Sequence, residues 1–230
     1  MPDLSAALPT TDLEDAFLCV VDVEGKLNVA LENLGPVADR DVVVLDAGRG
    51  FRAENLAAIG ARVTALAFPR DCDEPAALAR IAELPAGEAD VVVVPWSELA
   101  SPASEFLAQA ERLLRPCGRL LLVHDYGRDD VWELMPDRRD REVEWSQRRG
   151  PFLGAEFRVR VIHCWWTFES LESARELLVA GFGDPGRDVA DRMKKPRLEY
   201  QVAIYHRSVP PRPSAGESAD DVVGVAVVAG

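Results

Sequence analysis

Three short, unbroken apolar runs constrain the fold of this chain more than any other feature of its sequence. They are Val42–Leu45, Val91–Val94 and Leu120–Val123. None of them alternates with polar residues, which is typical of strands that are covered on both faces. Weaker strand candidates follow at Arg62–Phe68 and Tyr200–Tyr205.

Helical patterns lie between these strands. They predict helices over Ala53–Ile59, Ser104–Leu114 and Leu171–Ala180, the last with Thr167 or Ser170 as its N-cap. Strands that alternate with helices form a doubly wound, mostly parallel sheet. We therefore predict a single domain of the α/β class.

The ends of the chain differ from its middle. Residues 1–40 carry apolar positions at helical spacing and end at Gly35-Pro36, so we expect a helical lead-in there. Residues 41–207 form the α/β domain, in which residues 126–160 are long enough for a lid. Residues 208–230 are rich in Pro, Ser and Gly, and we expect a disordered tail.

Charge and cysteine content exclude several classes of partner. The chain carries 26 Lys and Arg against 39 Asp and Glu, a net charge of −13, which opposes binding to nucleic acid or anionic membranes. The four cysteines include no C-x-x-C pair, and no signal peptide or membrane span is visible. We expect a cytoplasmic protein whose partner is a small-molecule substrate.

A glycine turn follows the first apolar run. The sequence there is Val42-Val43-Val44-Leu45-Asp46-Ala47-Gly48-Arg49-Gly50, and a helical segment comes next. A buried strand that ends in such a turn places backbone N–H groups and a helix N-terminus at the carboxyl edge of the sheet. Ligands of open α/β folds bind at that edge.

Two later segments extend this pattern. Asp90 begins the run at Val91–Val94, and the turn Leu114-Arg115-Pro116-Cys117-Gly118 precedes the run at Leu120–Val123. In this order the motifs resemble those of the Rossmann-like S-adenosylmethionine-dependent methyltransferases, which read V-L-D-x-G-x-G-x-G, F-D-x-V and L-R-P-G-G. The resemblance covers roughly residues 26–207.

The resemblance implies the Rossmann-like methyltransferase fold, S-adenosylmethionine as the cofactor, and in-line transfer of its methyl group to a small-molecule acceptor. The cofactor-binding residues that it implies are Asp46, Gly48, Gly50, Phe68, Pro95 and Trp96.

Two positions and one interval depart from the family pattern. Arg52 stands where the third glycine is expected, and Ala67 stands where an acid normally accepts hydrogen bonds from the ribose. The interval from Ala67 to Val91 is also short. Either Ala77–Ile81 is the third strand, or that strand is lost.

Polar residues that follow the run at Leu120–Val123 are candidates for catalysis. His124, Asp125 and Tyr126 would lie at the carboxyl edge, where His124 could act as a general base, and Arg128 could contact the substrate. The alternative is a polar loop in which Asp125 or Asp129 caps the next helix.

Tryptophans supply the remaining candidates. Trp96 could stack on an adenine or an aromatic substrate, or it could close the edge of the sheet as an aromatic plug. Trp165 and Trp166 could line a substrate cavity, or they could be buried in aromatic packing. The arginine-rich segment Asp137–Arg149 could clamp an anion, although its mixed charges favour a solvated helix face.

No metal site is expected. His124, Asp125, His163 and Cys164 are suitable ligand types, but no motif spacing supports them. Two main hypotheses follow: a methyltransferase that acts on a small molecule, or a non-catalytic protein of the same fold that serves as a binding or scaffold partner. A dehydrogenase-like nucleotide binder is disfavoured, because its fingerprint also requires an acid near position 67.

Overall fold

A computed structural model describes residues 11–45, 53–69, 72–102, 104–135, 145, 147 and 150–210. Six strands form one sheet in the order β2-β1-β3-β4-β6-β5. The strands are β1 (Asp41–Leu45), β2 (Arg62–Leu66), β3 (Ala89–Pro95), β4 (Leu114–Asp125), β5 (Arg158–Thr167) and β6 (Arg197–Ser208). The helices are α1 (Thr11–Val20), α2 (Lys26–Leu34), α3 (Glu54–Ala58), α4 (Glu74–Ala82), α5 (Glu105–Arg112), α6 (Pro151–Gly154) and α7 (Leu171–Arg192), with a 3₁₀ helix at Val131–Leu134.

The sheet is parallel except at one strand. Strand β1 pairs in parallel with β2 and β3, and β3 pairs in parallel with β4. Strand β6 runs antiparallel to both β4 and β5. From β1 the chain proceeds to β2 on one side, whereas from β3 it proceeds to β4 on the other. The ends of β1 and β3 therefore form the topological switch point of the sheet.

Both faces of the sheet are covered. On one face Val42, Val44 and Val93 pack in the cluster that includes Phe17 of α1 and Leu178 of α7. On the other face Val92, Val94 and Leu122 pack with Ile81 of α4 and Phe106 of α5. This double cover explains why β1, β3 and β4 each contain an unbroken apolar run. Consecutive side chains of such a run point to opposite faces, and each face is covered by a core.

The predicted α/β class and the mostly parallel sheet are confirmed. The predicted helices correspond to α3, α5 and the first part of α7. Of the two candidate caps of α7, Ser170 is the one that forms the cap, since its hydroxyl accepts a hydrogen bond from the backbone N–H of Ser173 at 3.0 Å.

The alternative third strand at Ala77–Ile81 is wrong, because those residues lie in α4. The side chain of Asp73 caps that helix by accepting from the N–H of Ala76 at 2.9 Å, and a proline stands in the first turn, where its missing N–H costs no hydrogen bond. No strand lies between β2 and β3 among their described residues, so β2 is the edge of the sheet. Strand β2 also ends at Leu66, two residues earlier than predicted.

Both helices of the lead-in pack on the sheet. Phe17 of α1 and Leu31 of α2 are fully buried in the core, and Val21 forms an antiparallel bridge with Trp166 of β5. Most of the segment Asp137–Arg149 and the tail beyond residue 210 lie outside the described residues. None of the described helices is long and apolar enough to cross a membrane.

Candidate functional site

The candidate site lies at the carboxyl edge of the parallel strands. Strand β1 ends at Leu45, beside the ends of β2 and β3. Of the implied cofactor-binding residues, Asp46, Gly48 and Gly50 lie outside the described residues, as does Arg52. The described part of the site consists of the segments that follow β2, β3 and β4, together with the ends of β5 and β6 that share the edge.

Trp96 turns the chain sharply at the end of β3. Pro95 is the last residue of that strand, and Trp96 adopts a left-handed backbone with φ of 46°. Such a conformation is rare for a bulky residue and persists where its surroundings enforce it. Here the Trp96 N–H donates to the carbonyl of Val123 at 2.7 Å, and the side chain is only 4% exposed.

Asp125 connects the ends of three strands. Its Oδ1 accepts a hydrogen bond from Nε1 of Trp96 at 2.9 Å and another from the hydroxyl of Tyr200 at 2.6 Å. Burial, reinforced by the charge of Asp125, raises the pKa of Tyr200 well above its ordinary value. The phenol therefore stays protonated and acts as a donor, and the carboxylate is held in one orientation.

His124 lies on the opposite face of β4 from Asp125. It is 5% exposed, and its ring centroid is 4.7 Å from that of Trp145 and 5.5 Å from that of Phe152. The structure therefore does not bring His124 and Asp125 together. Tyr126 is half-buried, and the Arg128 guanidinium carbon lies 5.7 Å from the centroid of its ring.

Two further aspartates bind the segment after β4 to strand β6. Asp129 accepts from the backbone N–H groups of Trp132 at 2.9 Å and Gln201 at 2.7 Å, and Asp130 accepts from the N–H of Glu199 at 2.9 Å. Asp129 thus bonds to the first turn of the 3₁₀ helix, as the alternative role predicted, although the N-cap residue itself is Asp130, whose side chain forms no cap bond. Burial raises the pKa of Asp129 to about 7, and the nearby charges of Asp125 and Asp130 act in the same direction.

An arginine contacts the backbone of the residue where the ribose-binding acid was expected. Ala67 is exposed, and its carbonyl accepts a hydrogen bond of 2.6 Å from Nη1 of Arg80. The guanidinium carbon of Arg80 lies 5.8 Å from the ring centroid of Phe68, which is buried against Phe106. The described part of this corner therefore presents a cation and not a carboxylate. If Ala77–Ile81 were the third strand, the adenine-binding acid that the resemblance implies would fall near Arg80. Those residues form α4 instead, and from that helix Arg80 reaches the carbonyl of Ala67.

The two adjacent tryptophans of β5 have different surroundings. Trp166 is fully buried, with its ring centroid 5.2 Å from that of Phe17. Trp165 is partly exposed, and the guanidinium carbon of Arg197 lies 4.3 Å from its ring centroid. The described residues contain no group of three or more His, Cys, Asp or Glu side chains that could hold a metal ion.

No protein-family model matches this sequence, and no curated protein matches it. Solved structures do resemble it. A protein from Anaeromyxobacter dehalogenans, named as a type II methyltransferase, superposes with a TM-score of 0.51 at 18% sequence identity. The superposition covers 81% of this chain and 97% of the other.

Two other structures superpose less closely. A protein named as a methyltransferase from Bacillus halodurans C-125 is 16% identical over 79% of this chain and 98% of its own, with a TM-score of 0.41. A geranyl diphosphate C-methyltransferase from Streptomyces coelicolor A3(2) is 14% identical over 90% of this chain and 87% of its own, with a TM-score of 0.43. Only the first superposition bears on the fold, and it shows that the chain has a divergent form of the Rossmann-like methyltransferase fold.

Proposed function

We propose that this protein is an S-adenosylmethionine-dependent methyltransferase that acts on a small-molecule acceptor. The place of the glycine motif in the sequence, relative to the observed end of β1, is the observation that carries the proposal. The sequence Asp46-Ala47-Gly48-Arg49-Gly50 begins directly after Leu45, the last residue of β1, and β1 borders the switch point of the sheet. Ligands bind at that point in doubly wound folds, and a glycine turn allows the backbone to approach them closely.

The described residues around the switch point fit an adenosyl group in part. Phe68, Pro95 and Trp96 lie at or just after the ends of β2 and β3. They are buried apolar and aromatic residues, a composition that suits the surroundings of a purine ring. Ala67 supplies no carboxylate for the ribose. When bound, S-adenosylmethionine would contribute an electrophilic methyl group.

The residues at the end of β4 would act on the acceptor. Trp96 forms a wall beside the switch point, and its bond to Asp125 fixes the direction in which that carboxylate faces. A carboxylate held in this way is suited to orient an acceptor hydroxyl or amine and to take up its proton. His124 would contribute through packing, since it lies among Trp145 and Phe152 on the other face of β4.

Calorimetric titration with S-adenosylmethionine and with S-adenosylhomocysteine tests the proposal. We expect binding in the micromolar range, and we expect Asp46→Ala to weaken it at least about tenfold, because one charge-assisted hydrogen bond is worth about 1.5–3 kcal/mol. Asp15→Ala, at an exposed position on α1, serves as the matched control and should bind as the wild type does. Absence of heat at millimolar ligand would refute the proposal.

A non-catalytic binding protein of the same fold is the second candidate. The hydrogen bond from Arg80 to the carbonyl of Ala67 favours it, because that corner offers a guanidinium where a ribose would need an acceptor. The double variant Ala67→Asp with Arg52→Gly separates the two candidates. If the pocket has lost its function, the double variant should bind S-adenosylhomocysteine more tightly than the wild type; if the pocket is a working variant, it should not.

A further inference from the structure

A cavity lies at the β5–β6 end of the same sheet edge. It has a volume of about 410 Å³, which is within the range of small-molecule sites. Four cationic residues line it, and we call this cavity the basic pocket; they are Arg192, Lys194, Lys195 and Arg197. Its apolar wall is formed by Trp165, Val189, Met193 and Leu198.

The positive charge of the basic pocket exceeds the negative charge that faces it. Glu133 forms an ion pair with Arg192, and Asp130 is engaged by the N–H of Glu199. Among the described residues, no carboxylate lies within ion-pair distance of Lys194 or Lys195. The cavity therefore has cationic groups available for a ligand.

The basic pocket has a charge opposite in sign to that of the whole chain. Its net charge is −13, and Lys194 and Lys195 are two of its three lysines, the other being Lys26. A local excess of cations in an acidic protein attracts an anion to one place rather than to the whole surface. Long polyanions would be repelled by the rest of the molecule, which favours a small anionic molecule over nucleic acid.

The backbone holds the basic pocket in shape. The N–H of Phe168 donates to the carbonyl of Pro196 at 2.9 Å, and the N–H of Arg197 donates to the carbonyl of Lys195 at 2.8 Å. The Arg197 guanidinium is also stacked over the ring of Trp165. A loop fixed at these points loses little conformational entropy when an anion binds.

We infer that the basic pocket binds a phosphate or carboxylate group of the acceptor molecule. The inference rests on the proposed function for the role of that molecule as acceptor, whereas the binding of an anion follows from the pocket alone. The order β3-β4-β6-β5 separates Trp96 from the pocket residues of β6 and β5 by two to three strand spacings, or roughly 10–14 Å across the sheet. The acceptor would then carry its anionic group at about that distance from the atom that receives the methyl group.

Calorimetry with three probes that share a phenyl ring tests the inference at low ionic strength, where charge screening is weak. Phenyl phosphate and benzoate carry the two candidate anions, and phenol is the neutral control. We expect one or both anions to bind and phenol not to bind. The stronger of the two anionic probes identifies the group that the pocket prefers.

Two variants connect the binding to the basic pocket. Lys194→Ala with Lys195→Ala should weaken anion binding at least about tenfold, since each lysine supplies a charge-assisted hydrogen bond. Lys26→Ala removes the chain's only other lysine and should leave binding within about twofold, which is less than 0.5 kcal/mol. Thermal melting of both variants establishes that they are folded.

Three results would overturn the inference: equal binding of phenol and the anions, an unchanged affinity in the double variant, or no anion binding. None of these measurements contains S-adenosylmethionine. If the cofactor fails to bind while the lysines control anion binding, the proposed function fails and the basic pocket remains an anion site. If the cofactor binds while the lysines have no effect on anion binding, the anion site is refuted and the proposed function is unaffected.

Discussion

The hydroxyl of Tyr200 donates a hydrogen bond of 2.6 Å to Oδ1 of Asp125. Tyr200 lies on β6 and Asp125 ends β4, two strands that are antiparallel neighbours. The same oxygen accepts from the indole of Trp96, which follows β3. One carboxylate oxygen thus joins three strand ends at the edge where we place the acceptor.

We expect Tyr200→Phe to lower the free energy of unfolding by about 1.5–3 kcal/mol, the range for a hydrogen bond to a charged group. The phenol is buried, and the substitution keeps the ring while removing the donor. Urea unfolding of wild type and variant measures the difference. Tyr126→Phe is the matched control for loss of a phenolic hydroxyl and should change stability by less than about 0.5 kcal/mol. Equal effects of the two substitutions would contradict the role of the Tyr200 hydroxyl.

The titration of Asp129 makes stability depend on pH near neutrality. Its pKa in the folded protein is about 7, above the ordinary value of about 3.9 that it has in the unfolded chain. The folded state therefore binds the extra proton, and this stabilising effect is complete below about pH 4 and is lost as the pH rises towards 7. The slope for one such group is at most about 1.4 kcal/mol per pH unit.

Asp129→Asn should remove this slope, because the amide does not titrate. Urea unfolding at intervals between about pH 4.5 and about pH 8 measures the free energy of unfolding of the two proteins across the interval in which Asp129 titrates. The variant loses one of the two acceptor oxygens that bind the N–H groups of Trp132 and Gln201, which changes its stability at every pH. The comparison therefore concerns how the free energy of unfolding changes with pH and not its absolute value. Parallel profiles would show that Asp129 is not the titrating group.

The strands of the sheet's centre were predictable for a physical reason. Val42–Leu45, Val91–Val94 and Leu120–Val123 must be apolar at every position, since helices cover both faces. Strand β5 has a different pattern. Apart from the single bridge at Val21, Arg158–Thr167 pairs with β6, and exposed and half-buried residues alternate towards its amino end. Apolar and polar residues therefore mix there and no continuous run appears.

The site was harder to predict than the fold, and His124 and Asp125 illustrate why. Consecutive residues of a strand face opposite sides of the sheet. The alternation places the side chains of His124 and Asp125 on opposite faces only if both residues belong to the strand. The apolar run ends at Val123, whereas β4 continues to Asp125, and the run alone does not indicate that extension. The bond from Arg80 to Ala67 and the bond from Tyr200 to Asp125 join distant parts of the chain, and no local pattern indicates them.

The same alternation predicts unequal effects at the two adjacent tryptophans of β5. Trp166→Ala should lower the free energy of unfolding by about 3–5 kcal/mol, as expected for the loss of a fully buried aromatic side chain. Trp165→Ala should cost less, because that ring is partly exposed and contacts the Arg197 guanidinium. Urea unfolding measures both. A larger loss at Trp165 would contradict the placement of β5.

Acid should weaken an ion-pair network at the amino end of the sheet. Hydrogen bonds from Arg62 and then Arg115 lower the pKa of Asp41 to about 2, and Arg115 also contacts Asp90 at 2.9 Å. The pKa in the folded state lies below that in the unfolded chain, so the stabilising effect is present above about pH 4 and is lost as the pH falls towards 2.

Asp41→Asn should therefore show a smaller loss of stability between about pH 4 and pH 2 than the wild type does. Thermal melting across that interval tests the prediction. Asp15→Asn, at an exposed position on α1, is the control. If Asp41→Asn and the wild type lose stability equally, another group is responsible for the acid sensitivity.

Helix α7 consists of two segments that meet at Gly183, where φ is 61°. Gly186 of the second segment packs against the first so closely that an added Cβ would lie 2.5 Å from the carbonyl carbon of Leu178. An ion pair between Arg175 and Asp191 joins the same two segments. We expect Gly186→Ala to destabilise the protein by about 1–3 kcal/mol, because the segments must separate to admit the methyl group.

The segment that Gly186 positions leads into the basic pocket, since α7 ends at Arg192. Gly186→Ala should therefore also weaken the binding of phenyl phosphate, whereas Gly154→Ala, where a Cβ would meet nothing within 4 Å, should change neither stability nor binding. Urea unfolding and calorimetry on the three proteins measure both effects. A Gly186→Ala protein as stable as the wild type would show that the two segments of α7 are not packed as closely as this contact requires.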